Sequence, residues 1–482
     1  MRRKSIAPYR IISKPGEGTR MIGRRQFVGA ALAATGGMKR ADRKPNLLFL
    51  LTDDQRWDTL GCMGNRIIRT PNVDHLACDG VVFENNFVTT AICMTSRASY
   101  FTGLLERSHG ISSFSKPLTA DQLALTYPAL LRRAGYRTGF IGKYGVGDKL
   151  PESAFDYFEA FPGQGKYFPG DGKEHLTRIQ ERQCLEFLRG CSKDQPFALS
   201  VSFKAPHVQD EDPRQFLCDP ADVAMYRDVK IPVPETADDR YYRALPEFLH
   251  ESEGRVRWRL QFADPEMYQR SVKGYYRLIT GVDRVVGTLT DVLARRGELD
   301  KTVIIYTGDN GYFLGEHGLS HKWYMYEESI RTPLVIRDPR LARAMRGRRV
   351  REMALNIDIA ATLLSAAGIT PPPGMQGRDL ASLMRGESSG WRREWFYSHL
   401  FEHPKIPQSE GVRDERFSYI RWIGQKPVYE ELFDHVADPH NIRNLAANPN
   451  HRGTLERLRG RWSAWREHLA RWRPDERWED PG

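Results

Sequence analysis

No stretch of this 482-residue chain approaches the ~20 consecutive apolar residues that a membrane-spanning helix requires, so no stable membrane span is expected. Cysteine is scarce. Six residues (Cys62, Cys78, Cys93, Cys184, Cys191 and Cys218) are too few for a disulfide framework in a chain this long, and they read mostly as buried thiols. Cys and His never fall at zinc-like spacing, and no internal repeat is evident. Basic charge is largely missing from the body of the chain. Of the net +11, ten charges belong to residues 1–44, where 12 Lys and Arg stand against Glu17 and Asp42. A nucleic-acid-binding body would need a basic face of its own, so no nucleic-acid partner is expected.

The basic leader itself carries a motif. Arg24-Arg25-Gln26-Phe27-Val28 precedes the small-residue apolar run Gly29 to Gly37. Twin arginines before a mild apolar run read as a twin-arginine export signal. Residues 1–44 are thus expected to be leader, and the mature protein periplasmic or extracellular. Beyond it, 40% hydrophobic and 28% charged residues are ordinary for a globular chain, and the length suits one large domain plus a smaller one.

Short apolar runs alternate with helical patterns. Asn46–Thr52 and Thr302–Thr307 are apolar along almost every residue, with weaker runs at Thr138–Gly142 and Pro196–Phe203. Strands apolar on both faces belong to a largely parallel sheet buried between helices. Leu125–Ala134 and Tyr268–Leu293 read as amphipathic helices. The expected fold is α/β, with a large, mostly parallel sheet sandwiched by helices over residues 45–370. A smaller α+β subdomain with an antiparallel sheet is expected over 371–482. Residues 205–265, rich in Asp, Pro, Arg and Tyr without periodicity, read as a long surface insertion where specificity would reside.

Two of the apolar strands run into paired oxygen ligands. Asn46–Thr52 leads to Asp53-Asp54, and Thr302–Thr307 leads through Gly308 to Asp309-Asn310. Sites in open α/β sheets form at the carboxyl ends of strands. Four hard oxygen side chains at two such ends suit Ca²⁺, or Mg²⁺, better than a soft metal.

Between the two pairs lies Cys93-Met94-Thr95-Ser96-Arg97, followed by a short helical run to Thr102-Gly103. It resembles the Cys-x-Pro-Ser-Arg signature of type I sulfatases, in the alkaline phosphatase superfamily. In that family the Cys is oxidised to formylglycine, an aldehyde whose hydrate is the nucleophile. The resemblance implies a calcium site on Asp53, Asp54, Asp309 and Asn310, completed by the formylglycine at Cys93. It implies that Arg97 and Lys143, in Gly142-Lys143-Tyr144-Gly145, hold the hydrated aldehyde. It further implies that His207, in Lys204-Ala205-Pro206-His207, and Lys322, in His321-Lys322-Trp323, contact sulfate. The pattern Leu432-Phe433-Asp434 with Asp438-Pro439 and Asn444-Leu445 is similar to the family's C-terminal subdomain.

The chain departs from the pattern twice. Thr95 stands where Pro is usual, and Gly145 where many members have His. His317 or His321 is expected to take over the proton-transfer role. The function this implies is a sulfuric-ester hydrolase that releases sulfate from a sulfated carbohydrate, after maturation by a formylglycine-generating or other sulfatase-maturing enzyme. Two alternatives share the motifs: a phosphodiester or phosphonate monoester hydrolase of the same superfamily, and a non-catalytic glycan-binding homologue.

Overall fold

The computed structural model describes residues 44–481, so the leader motif lies outside the described residues. The central sheet has eight strands: β1 (Asn46–Thr52), β2 (Val81–Phe83), β3 (Arg137–Lys143), β4 (Tyr157–Phe161), β5 (Phe197–Ser202), β6 (Thr302–Gly308), β7 (Leu334–Arg337) and β8 (Arg348–Val350). Their spatial order is β8-β2-β7-β6-β1-β5-β3-β4. Only β7 runs against its neighbours; every other pair is parallel.

Alternation along β1 explains why it is apolar throughout. Leu48 and Leu50 face one core, shared with Val282, Val285 and Leu289. Leu47, Phe49 and Leu51 face the other, shared with Tyr100 and Phe101. A strand covered on both faces favours apolar residues at every position between its ends. Burying each such side chain contributes about 1.5–3 kcal/mol.

The helices follow from the same logic. The helix that begins at Cys93, α1 (Cys93–Thr102), and the crossover helix α2 (Leu176–Arg189) cover opposite faces. Helix α3 (Glu253–Gln261) is followed by the 31-residue α4 (Pro265–Arg295). The start of α4 is set by Asp264, whose Oδ1 accepts from the Met267 amide at 2.8 Å, and by Pro at its first position.

A four-stranded antiparallel sheet follows: β9 (Glu394–His399), β10 (Ser409–Asp414), β11 (Phe417–Trp422) and β12 (Tyr429–Asp434). The last helix, α5 (Arg452–Ala470), buries Leu455, Leu458, Trp465 and Leu469. Its arginines meet acids of this sheet: Arg461 with Glu394, Arg457 with Asp414, Arg459 with Glu430 and Arg466 with Glu410. This sheet also braces the main body. Tyr397 donates its hydroxyl to the Trp323 carbonyl at 2.8 Å, and Trp395 stacks on Phe87 at 5.4 Å.

Two sequence expectations need adjustment. Residues 205–265 are not simply a surface excursion: Gln215, Leu217, Ile231, Leu249 and Gln261 are buried, held by short helical turns and α3. The lack of periodicity reflects turns too short to repeat. Among the six free cysteines, Cys93, Cys184 and Cys191 are buried, but Cys78 is exposed. No helix among the described residues is long and apolar enough to cross a membrane.

Candidate active site

The register of β1 on β6 pairs Thr52 with Gly308, so the chain leaves both strands at one point of the sheet edge. The Asp309 amide donates to the Thr52 carbonyl at 2.8 Å, and the Asp54 amide to Asp309 Oδ1 at 3.0 Å. Asp54 takes a left-handed conformation (φ +62°), and the carboxylates of Asp53 and Asp54 meet in one cluster. Tyr275 of α4 holds the Asp54 carbonyl at 2.5 Å.

Cys93 is the first residue of α1, after an extended Ile92. Its thiol lies 3.4 Å from Asp53 Oδ1 and 3.3 Å from Lys322 Nζ. One turn on, Arg97 donates to Asp309 Oδ2 at 2.8 Å and to Asp53 Oδ2 at 3.2 Å. Its remaining terminal nitrogen caps the Lys143 carbonyl at 2.6 Å and contacts Ser202 Oγ. Lys143 itself reaches Asp53 Oδ2 at 2.5 Å and Gln164 Oε1 at 2.6 Å. Lys322 pairs with Asp54 Oδ1. His207 spends its Nδ1 on the Val208 carbonyl at 2.7 Å, which leaves Nε2 3.6 Å from Asp54 Oδ2. All of these side chains are buried except Gln164, which is half-buried.

Charge crowding sets the titration behaviour. Burial alone would raise the Asp53 carboxyl, but Lys143, His207, Arg97 and Lys322 around it hold it well below the usual carboxylate range. Asp54 is pushed up to about 7, by burial first and then by Asp53 and Asp309, against the pull of Lys322. Burial, followed by Asp53, also raises Asp309. The Cys93 thiol is driven up to about 12 by burial and then by Asp53. An unmodified thiol here stays protonated at neutral pH and is a poor nucleophile.

The donor set fits a divalent cation. Asp54 Oδ2 and Asn310 Oδ1 are buried and have no hydrogen-bond partner, although Asn310 Nδ2 donates to Asp54 Oδ1 at 2.6 Å. One ligand atom each from Asp53, Asp54, Cys93 and His207 lies within 4.8 Å of the others. Orphaned buried acceptors are costly unless a cation or donor satisfies them. His207 was not among the ligands expected from the sequence.

His317 lies away from this cluster. Its ring packs against Tyr326 at 5.6 Å, its Nε2 has no partner, and burial lowers its pKa to about 4. Its backbone is left-handed (φ +55°), between Gly315 and Gly318, and this turn aims the ring toward the C-terminal sheet. His321 occupies the place beside the site instead, with its ring 6.2 Å from that of His207.

Both departures from the motif have local causes. Gly145 is left-handed (φ +74°), and a Cβ there would come 2.7 Å from Arg97 Cδ, so a side chain would be strained and would have to displace Arg97. Thr95 is the third residue of α1, where the amide has no intrahelical acceptor and Pro would be tolerated. Its hydroxyl instead donates to the Ile111 carbonyl at 2.9 Å. Sequence reasoning missed Gln164, Ser202 and Tyr275. Only Gln164 left a trace, the glycines on either side of it, both left-handed here.

Comparison with known proteins agrees with the fold and the motifs. The sequence matches the Sulfatase family over residues 45–369 and the family described as N-sulphoglucosamine sulphohydrolase, C-terminal, over 315–468. An N-acetylglucosamine-6-O-sulfatase of Bacteroides thetaiotaomicron is 28% identical, with 84% of this chain and 83% of that protein covered. A solved structure described as a complex with its substrate D-glucosamine-2-N,6-O-disulfate superimposes with a TM-score of 0.77. It is 26% identical, with 90% of this chain and 100% of that chain covered. A phosphonate monoester hydrolase from Silicibacter pomeroyi shares the fold, with a TM-score of 0.76 at 23% identity, over 89% of this chain and 96% of that one. With the Sulfatase match running from the first strand past both aspartate pairs, this chain belongs to the sulfatase family.

Proposed function

We propose that this protein hydrolyses the sulfuric ester of a sulfated sugar, with Cys93 matured to formylglycine and a calcium-like cation held by Asp53, Asp54, Asp309 and Asn310. The observation that carries this reading is the convergence of Cys93 Sγ with Asp53 Oδ1 at 3.4 Å and Lys322 Nζ at 3.3 Å. Formylglycine supplies a hydrated aldehyde in place of a thiol, a nucleophile that can shed its sulfate again. The cation supplies polarisation of a sulfate oxygen.

The chain's own side chains do the rest. Arg97 is locked by both strand-end aspartates and fixes the start of α1 against them. Lys143 and Lys322 flank residue 93 with positive charge where a sulfate ester would bind, which stabilises charge on its outer oxygens. The free N–H groups at the start of α1 favour an anion in the same place. His207 keeps Nδ1–H on the Val208 carbonyl, so any proton it exchanges with substrate passes through Nε2. Lys322 Nζ is the other proton donor within reach of residue 93. The leader motif supports export, and the sulfated-sugar substrate is supported by the relatives named above.

The test is direct. Protein from the native host is expected to show the mass loss of formylglycine at residue 93 and to release inorganic sulfate from N-acetylglucosamine 6-sulfate or a related sulfated hexosamine. A converted residue 93 without sulfate release from any ester sinks the proposal. Faster turnover of aryl phosphodiesters than of aryl sulfates would assign the site to phosphonate-type chemistry instead.

A further inference from the structure

One buried relay can be oriented from the backbone outward. Gln215 Nε2 donates to the Asp212 carbonyl at 2.8 Å and the Asp210 carbonyl at 3.4 Å. Its Oε1 is therefore the end that faces Gln261, and it accepts from Gln261 Nε2 at 3.0 Å. Gln261 Oε1 accepts from the Tyr312 hydroxyl at 2.7 Å and the Ser320 hydroxyl at 2.6 Å. The second hydrogen on Gln261 Nε2 is left for His321 Nε2, 3.3 Å away. His321 Nε2 must then accept, and the neutral ring carries its proton on Nδ1. That Nδ1–H makes no hydrogen bond to any described residue.

The ring is also held in place. It stacks on Trp323 with 5.3 Å between centroids and 4° between planes, touches Tyr312 at 5.2 Å, and meets the edge of His207 at 6.2 Å. His321 (φ +66°) and Trp323 (φ +87°) are both left-handed, which bulky residues rarely adopt. Such strain persists where the surroundings over-determine it, most often at ligand sites. Lys322, between them, points at Cys93 and Asp54. A fixed ring with an unspent donor thus stands beside His207, which the proposed function gives to sulfate.

We propose that His321 donates from Nδ1 to a sugar oxygen adjacent to the sulfate ester, and that Gln261 is the positioning residue that keeps the proton on that nitrogen. This rests on the sulfated-sugar reading and deepens it: the donor selects esters whose carbon skeleton carries a neighbouring hydroxyl or ring oxygen. A site built to bond such an oxygen discriminates against ligands that lack it.

The test uses calorimetric titration of the whole protein with N-acetylglucosamine 6-sulfate and, separately, with inorganic sulfate. His321→Phe keeps a ring for Trp323 and loses the donor. It is expected to weaken the sugar sulfate about tenfold more than inorganic sulfate. Gln261→Glu keeps the acceptor for Tyr312 and Ser320 but removes the donor to His321. It is expected to move the His321 proton to Nε2, read from nitrogen shifts of labelled histidine, with the same selective loss of sugar affinity. Equal weakening of both ligands in both variants overturns the inference. So does an Nε2–H tautomer in the wild-type protein, or wild-type affinity for the sugar sulfate no better than for sulfate alone. Selective sugar binding without any sulfate release would leave the inference standing and defeat the hydrolase reading.

Discussion

Lys322 places its ammonium 3.3 Å from the Cys93 sulfur, although 229 residues separate the two in sequence. The same ammonium pairs with Asp54 Oδ1. It therefore serves the nucleophile position and the carboxylate cluster together. Lys322→Met is expected to lower kcat/KM for sulfate esters by about 10²–10³, the size seen when a preorganised donor to developing charge is lost. Steady-state turnover of an aryl sulfate checks this, and a loss below about threefold would remove Lys322 from the chemistry.

Chelation is expected to lower both activity and melting temperature. A cation present at about 100 times its Kd stabilises the folded state by about 2.7 kcal/mol. Asn310→Ala removes one orphaned acceptor and should shift the midpoint of calcium rescue to higher concentration. Identical melting curves with and without chelator would contradict a bound cation.

Gly145→His, which restores the family's usual residue, is expected to harm the protein. The new Cβ would strike Arg97 Cδ, and the left-handed backbone would cost a further ~1–2 kcal/mol. The readout is denaturant unfolding together with turnover. A gain in activity at unchanged stability would show that the site has room the geometry denies.

Arg392 and Asp358 form a buried pair, and the Leu355 and Arg378 amides also donate to Asp358 at 2.8 Å. Arg392→Ala leaves the carboxylate without its countercharge and is expected to cost about 3–5 kcal/mol. The double variant Arg392→Leu with Asp358→Asn should recover part of that loss, read from the same unfolding curves.

Stability should fall as pH rises through neutrality. Glu431 is raised to about 7, by burial against the lowering effect of Trp422 and Tyr326, and Glu106 likewise to about 7, by burial against Ser398 and the Leu400 amide. A carboxyl with a raised folded pKa contributes stability that is complete below its unfolded value and lost as pH passes its folded one. Between pH 5 and 8.5 each group should remove roughly 1–3 kcal/mol. Glu431→Gln, neutral throughout, should show a shallower decline in melting temperature than the wild type. Parallel curves would rule out Glu431 as a contributor.

How far the residues alone could be read depends on the kind of signal. β1 and β6 were legible because strands buried on both faces are apolar along almost their whole length. The aspartate pairs and Cys93 were legible because chemistry restricts the residue types allowed there. The reversed direction of β7 was not, since Leu334–Arg337 is too short to show its polarity. The packing of His317 on Tyr326 was not legible either, because the left-handed turn through Gly315 and Gly318 is a property of backbone dihedrals. Gln164, Gln215 and Gln261 escaped notice because a glutamine announces nothing until its partners are known.

The α5 arginines carry one last implication, for the order of events during synthesis. They grip β9, β10 and β12, and Glu431 on β12 in turn steadies Tyr326, four residues past Lys322. That grip can close only once α5 has been made, after every strand and loop of the site. A nascent polypeptide released early would hold its aspartates in line while the lysine wall opposite them stood unbuttressed.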